Sequence, residues 1–163
     1  MRPYLFESAW HLPGTRAQVW EAVLRVEDWP SWWPAVRAVR VLDAGHDGGL
    51  DRRIEYLLHA PLGYRLAVCT RTTTLEPPRL VVVEVVGQLA GTGRWELSEE
   101  AGGVRVDQRW EVATTRPWMR LVAPLARPAF RWSHDRAARR GGEGLARWLL
   151  SGARPSGGPA PSR

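Results

Sequence analysis

Glu27-Asp28-Trp29-Pro30-Ser31-Trp32-Trp33-Pro34-Ala35-Val36 is the stretch on which the reading of this chain turns. Three of the ten tryptophans fall within its first eight residues. Indole is the largest apolar side chain and carries one donor that needs a partner when buried, so a solvated loop has little use for three together. A short helix folded over the mouth of an apolar cavity does. On that reading Trp29, Trp32 and Trp33 form the entrance, at least one of them being plain packing. Asp28 is placed to cap the short helix and Pro34 to end it.

Upstream of this stretch, residues 4–12 alternate loosely, carry Tyr4, Phe6 and Trp10, and read as a strand. Pro13-Gly14 breaks it. Thr15-Arg16-Ala17-Gln18 then has capping-box spacing, and Val19, Trp20, Val23 and Leu24 recur at helical intervals behind it. Downstream, the chain turns extended. Residues 36–43 hold enough valine for a strand, but their period-two signal does not say which face is buried. Gly45-His46-Asp47-Gly48-Gly49 is a turn, and Leu50, Ile54, Tyr56 and Leu58 share a face beyond it. After Pro61-Leu62-Gly63, Tyr64, Leu66 and Val68 face away from Arg65 and Arg71. Residues 80–86 form a valine strand, Trp95 and Leu97 mark another, and Val104, Val106, Trp110 and Val112 alternate with Arg105, Asp107, Arg109 and Glu111. That last strand must lie with one face on a core and the other in water.

Pro117, Pro124 and Pro128 break up the approach to a C-terminal helix expected over residues 129–150. It would be roughly 30 Å long, the length of the sheet it would cover. Gly141, Gly142 and Gly144 mark a bend in it or a close approach to the sheet. The order is strand, two short helices, six strands, one long helix. That is an α+β fold in which a curved, seven-stranded antiparallel meander leaves a cavity beneath the last helix. Residues 1–150 form one domain, and residues 151–163, rich in Pro, Gly, Ser and Arg, a disordered tail.

Composition narrows the function classes. The 163 residues are 44% hydrophobic and 25% charged, ordinary for a globular chain, and no apolar run is long enough to span a bilayer. Cys69 is the single cysteine, which excludes an intrachain disulfide and a cysteine-based metal site. With no secretory-type leader, these features fit the cytoplasm. The net charge of +6 comes from arginine alone, since there is no lysine. Arg116, Arg120, Arg127, Arg131, Arg136, Arg139, Arg140 and Arg147 crowd the C-terminal region against Asp135 and Glu143. Such a stripe can draw an anionic partner, although nothing matches a nucleic-acid motif and nucleic acid is not expected. No His, Asp or Glu cluster has metal-ligand spacing, no serine sits in a nucleophile elbow, and no cofactor is implied.

The chain resembles the SRPBCC superfamily, the START-like or helix-grip proteins, and within it the polyketide cyclase/dehydrase-type branch. The resemblance rests on the Glu27–Val36 segment, on Gly87 with Gly91-Thr92-Gly93-Arg94-Trp95, and on the strand from Gly103-Val104-Arg105-Val106 to Trp110. It extends to Phe130-Arg131-Trp132-Ser133-His134-Asp135, followed by Arg139-Arg140-Gly141. It implies a sheet that grips the long helix, and a sheet interior that doubles as a cavity wall.

Candidate site residues follow from the two readings together. Tyr56, Tyr64, Trp95 and Trp110 fall on inner faces and would supply the few polar groups that orient a ligand, with Trp29 and Trp33 at the mouth. His134 shares a helix face with Ala138, Gly141, Leu145 and Leu149, which points an imidazole into apolar space as a hydrogen-bonding group or general base. Arg131 and Asp135, four apart, are expected to pair on the helix surface. Glu84 is expected to point outward. Leu80, Val82 and Val86 on that outer face hint at a partner surface such as a homodimer would use. The expected function is therefore binding of a hydrophobic small molecule, a lipid or polyketide. A cyclase/dehydratase using His134 and a tyrosine, or an interaction protein acting through the basic helix, are the alternatives.

Overall fold

The computed structural model describes residues 3–115 and 117–152, with residues 117–126 described by their backbone alone. The expected tail beyond residue 152, and Arg116, lie outside the described residues. Strand β1 (Tyr4–Leu12) leads into helix α1 (Arg16–Leu24), a 3₁₀ turn (Val26–Asp28) and a single-turn helix α2 (Trp29–Trp32). Six strands follow: β2 (Val36–Asp43), β3 (Arg53–His59), β4 (Arg65–Glu76), β5 (Leu80–Gly87), β6 (Leu89–Glu100) and β7 (Gly103–Thr114). Helix α3 (Pro117–Leu150) closes the chain. All neighbouring strands are antiparallel, in one curved sheet of order β1-β7-β6-β5-β4-β3-β2. β1 pairs with the last strand rather than with its sequence neighbour, which leaves α1 and α2 to cross the concave side between them.

Local chemistry sets these boundaries. Thr15 and Gln18 form a reciprocal capping box: Gln18 N donates to Thr15 Oγ1 at 3.2 Å, and Thr15 N donates to Gln18 Oε1 at 2.9 Å. Val19, Trp20, Ala22 and Val23 make the buried stripe of α1. Asp28 stands before α2 without a side-chain cap, because the 3₁₀ turn already leads the backbone into the helix with Asp28 itself in the helical region. Arg52 then pins this corner, its guanidinium donating to Leu24 O at 2.8 Å and to Glu27 Oε1 at 2.6 Å.

β2 explains its own poor alternation. The register slips between Val36 and Ala38, so Val36 on one side of the irregularity and Val39 and Val41 on the other all pack on the core. β3 begins at Arg53 rather than Leu50, because residues 44–52 form a loop closed by a His46–Leu50 bridge.

α3 departs most from expectation. It starts at Pro117, not near residue 129, and continues through Pro124 and Pro128. A proline removes only its own N–H and crowds the preceding turn, so two prolines four residues apart in a 34-residue helix can be carried by the rest of the ladder. The three glycines are close approaches. A Cβ at Gly141 would lie 2.6 Å from the Trp33 ring, one at Gly142 2.7 Å from Trp10, and one at Gly144 1.8 Å from the Trp32 carbonyl oxygen. Two indoles fasten the helix by hydrogen bonds to its backbone. Trp10 Nε1 donates to Ala138 O at 2.8 Å and Trp33 Nε1 to Ala137 O at 2.9 Å.

The interior has a solid half and a hollow half. Val19, Leu97, Val104, Val106 and Leu145, each at most 1% exposed, fill the end beneath the last turns of α3. The other end is a cavity.

Candidate functional site

The cavity has a volume of about 260 Å³ and lies between the concave face of β3–β7, the first strand and the middle of α3. This lies just below the range of about 300–1,000 Å³ typical of sites for drug-sized ligands, so it suits a small guest. Its wall is mostly aliphatic and aromatic: Val81, Val83 and Val85 come from β5, Ile54 and Leu58 from β3, Val112 from β7, and Ala137 and Ala138 from α3.

The seven residues expected to bind a ligand line this wall: Trp29, Trp33, Tyr56, Tyr64, Trp95, Trp110 and His134. Their positions within it differ from expectation. Trp29, Trp32 and Trp33 are buried, at most 9% exposed, and do not form an entrance. Trp29 stacks on Trp95 with centroids 5.4 Å apart and meets Tyr56 at 5.5 Å, while Trp33 meets Trp10 edge-on at 5.2 Å. Trp32 lies behind them, off the cavity, in contact with Trp10 at 6.3 Å. The indoles are the partition between hollow and solid core. Trp29 Nε1 donates to Val23 O at 3.1 Å and Trp33 Nε1 to the α3 backbone, which satisfies two of the three donors, while Trp32 Nε1 has no partner among the described residues.

The half-exposed end belongs to other rings. Phe130 of α3 meets Tyr4 edge-on at 6.0 Å and Tyr64 edge-on at 5.9 Å, so it spans from β1 to the start of β4. One turn on, the His134 ring stacks on Phe6 at 4.3 Å and 14°. Tyr64 also hydrogen-bonds with Ser133.

The polar groups of the wall sort into two sets. Tyr56 is held with Thr70, Tyr64 with Ser133, and Arg52 with Glu27 and Leu24 O. Burial pushes both tyrosine hydroxyls above the usual phenol range, their hydrogen-bond partners opposing it weakly, so both stay neutral. The second set has no hydrogen-bond partner among the described residues: Tyr4 OH, Gln108 Nε2 and His134 Nδ1. Burial holds His134 below the ordinary histidine value against the opposing pull of Asp135, so the ring is neutral at pH 7. Asp135 Oδ1 lies 3.5 Å from Nδ1, near enough for that electrostatic pull but without hydrogen-bond geometry.

Two surface expectations fail beside the site. Asp135 turns to His134, and no Arg131–Asp135 ion pair forms among the described residues. Leu80 is 5% exposed, so the outer face of β5 keeps only half-buried Val82 and exposed Val86 as apolar surface. Glu84 on the same face pairs with Arg71, Nη2 to Oε2 at 3.1 Å. Arg127, Arg131, Arg139, Arg140 and Arg147 are exposed along α3, and Arg136 stacks over exposed Trp132. Among the described residues no group of three or more His, Cys, Asp or Glu could hold a metal ion, and no helix is long and apolar enough to cross a membrane.

Gln108 was not singled out from the sequence. It is an inward position of β7, two residues from both Val106 and Trp110, and counting parity through the strand would have placed it on the wall. The valines and arginines alone make the alternation of this strand visible.

Residues 6–145 match the family described as polyketide cyclase / dehydrase and lipid transport. Among solved structures, TTHA0849 from Thermus thermophilus superposes with a TM-score of 0.79 at 15% identity, covering 93% of this chain and 100% of that one. A START superfamily protein from Mycobacterium smegmatis gives 0.64 at 14% identity, over 89% of this chain and 98% of that one. The di-domain ARO/CYC BexL from the BE-7585A biosynthetic pathway gives 0.67 at 18% identity, over 93% of this chain and 51% of that one. At these identities the likeness is one of fold. No curated protein matches the sequence.

Proposed function

We propose that this chain, which belongs to the polyketide cyclase / dehydrase and lipid transport family, holds an apolar small molecule of lipid or polyketide kind between its sheet and α3. The observation that carries the reading is the cavity itself. About 260 Å³ is walled by valines, leucines and four indoles, in a chain whose core beneath the last turns of α3 is filled by side chains at most 1% exposed. Protein interiors otherwise close such space, because lining atoms without neighbours lose dispersion contacts and each void costs stability. A ligand entering it would gain what the fold leaves unrealised. Native mass spectrometry of gently purified protein, before and after incubation with dodecanol, tests the proposal. A bound organic mass is expected in at least the loaded sample. The bare chain alone in both would refute it.

His134 supports a second reading, a cyclase or dehydratase working in the same cavity. A neutral imidazole with a buried, unpartnered Nδ1 on the wall is in the form a general base requires. It would take a proton from the carbon between two carbonyls of a poly-β-ketone. Incubation with a short poly-β-ketone thioester should then yield a cyclised product that His134→Gln fails to form. Equal product from both proteins would remove the base from this reading.

A further inference from the structure

Resting on the ligand-binding reading, we propose that Gln108 selects what the cavity accepts: an uncharged molecule with an apolar, preferably aromatic, body and one carbonyl or hydroxyl oxygen placed at this amide. Gln108 projects inward from β7, is 3% exposed, and lines the cavity opposite Trp95, its register partner on β6. Its Nε2 has no partner among the described residues. Its nearest inward neighbours along the strand, Val104, Val106, Trp110 and Val112, are apolar, and the next polar inward side chain is Thr114 at the strand's end. An amide among them is a liability for folding, since a buried donor left unpaired costs more than an apolar group of the same shape. The hydroxyls of Tyr56 and Tyr64 do not share the problem, being held with Thr70 and Ser133, whereas Tyr4 OH, also without a partner among the described residues, belongs to the half-exposed end beside Phe130.

The chemistry of the amide defines the guest. A glutamine head carries donors and an acceptor that exchange places by a half-turn about its last torsion, so it meets either a carbonyl or a hydroxyl. It offers no charge. Among the described residues the one permanently charged side chain on the wall, Arg52, is already engaged by Glu27 and Leu24 O, and His134 is neutral. A carboxylate brought to Gln108 would therefore be buried without a counter-charge. Trp95 and Trp110 flank the position and meet each other edge to face, centroids 6.5 Å apart at 84°. A guest seated at Gln108 therefore lies beside indole, which favours an aromatic body over a flexible chain.

The test is a matched ligand set: tert-butylbenzene, para-tert-butylphenol and para-tert-butylbenzoate, titrated against indole emission in wild type and Gln108→Leu, with melting curves of both free proteins. Wild type should bind the phenol roughly fivefold to tenfold more tightly than the hydrocarbon, the worth of one hydrogen bond, and should bind the benzoate no better than the hydrocarbon. Gln108→Leu should bind phenol and hydrocarbon alike and melt no lower than wild type. Gln108→Met, a flexible apolar replacement, should repeat the pattern if leucine strains the site. Equal phenol and hydrocarbon affinity in wild type, a preference for the benzoate, or an unchanged phenol preference in both variants overturns the assignment and leaves the cavity reading intact. Lower melting of both variants also overturns it, since the amide would then be structural. Failure of all three probes to bind wild type would remove the ligand reading and this assignment with it.

Discussion

Replacing Gly144 by alanine sets two physical effects against each other with opposite signs. In a helix interior alanine is favoured over glycine by about 1 kcal/mol, so propensity alone predicts a more stable protein. The packing predicts the reverse. A Cβ at this position would lie 1.8 Å from the Trp32 carbonyl oxygen and 2.9 Å from its carbon. The obstacle is backbone, which cannot rotate aside as a side chain can, so α3 or α2 must shift by roughly an ångström before the atoms clear. Overpacking strain of this kind costs about 1–3 kcal/mol, and a rigid obstacle places Gly144→Ala at the upper end. The net is a loss of about 2 kcal/mol, or a fall of roughly 4–8 °C in melting temperature for a chain of this size. Thermal unfolding followed by circular dichroism reads it, with exposed Glu143→Ala as the control expected within about 0.5 kcal/mol of wild type. A Gly144→Ala protein that melts at or above wild type would show that α3 does not rest on the backbone of α2 as described.

The same reasoning extends to three further measurements. Leu145, 0% exposed in the solid half, should cost about 2–5 kcal/mol as Leu145→Ala in denaturant unfolding. Thr15→Ala removes one half of the capping box and should cost about 1 kcal/mol in the same assay. Because burial lowers the His134 pKa from 6.5, the unfolded chain takes up a proton that the folded state resists. The stability this residue supports is thus complete above pH 6.5 and is lost as the pH falls from there toward the folded value. His46, raised by Asp47 and Asp51, has the opposite sign: its contribution is present below pH 6.5 and lost as the pH rises through its raised pKa. In a His46→Asn background, His134→Phe should therefore flatten the acid-side decline in melting temperature, and an unchanged decline would contradict the burial of that ring.

What the sequence reveals here is governed by how local the cause is. The capping box at Thr15 and Gln18 and the alternation of β7 are legible because each depends on neighbours a few residues away. The seven-strand order with a closing helix follows from turn residues between apolar runs. The side on which β2 buries its valines is not legible, because a register slip after Val36 is decided by pairing with β3. The place of the indoles is hidden for the same reason. A short helix rich in tryptophan must sit on something apolar, but only the approach of α3, permitted by Gly141 and Gly144, decides that Trp29 and Trp33 form an inner partition. Arg131 and Asp135 have the spacing of a helix-surface pair, yet the carboxylate turns to the adjacent imidazole, a choice that depends on where the His134 ring is held by Phe6. Gln108 shows a different failure. Its place on the wall is legible from strand parity, but an uncharged polar residue belongs to neither of the two classes that make an alternation visible.

The central claim is that the hollow beside the indole partition takes up an apolar molecule. Its most direct test is a titration of wild type and Val85→Phe with tert-butylbenzene, read by indole emission. Val85 lies on the cavity wall at 2% exposure, and a phenyl ring there takes up cavity space. Saturable binding to wild type, lost or weakened at least tenfold in a Val85→Phe protein that melts no lower, is the predicted result. Equal binding to both proteins, or none to either, would contradict it.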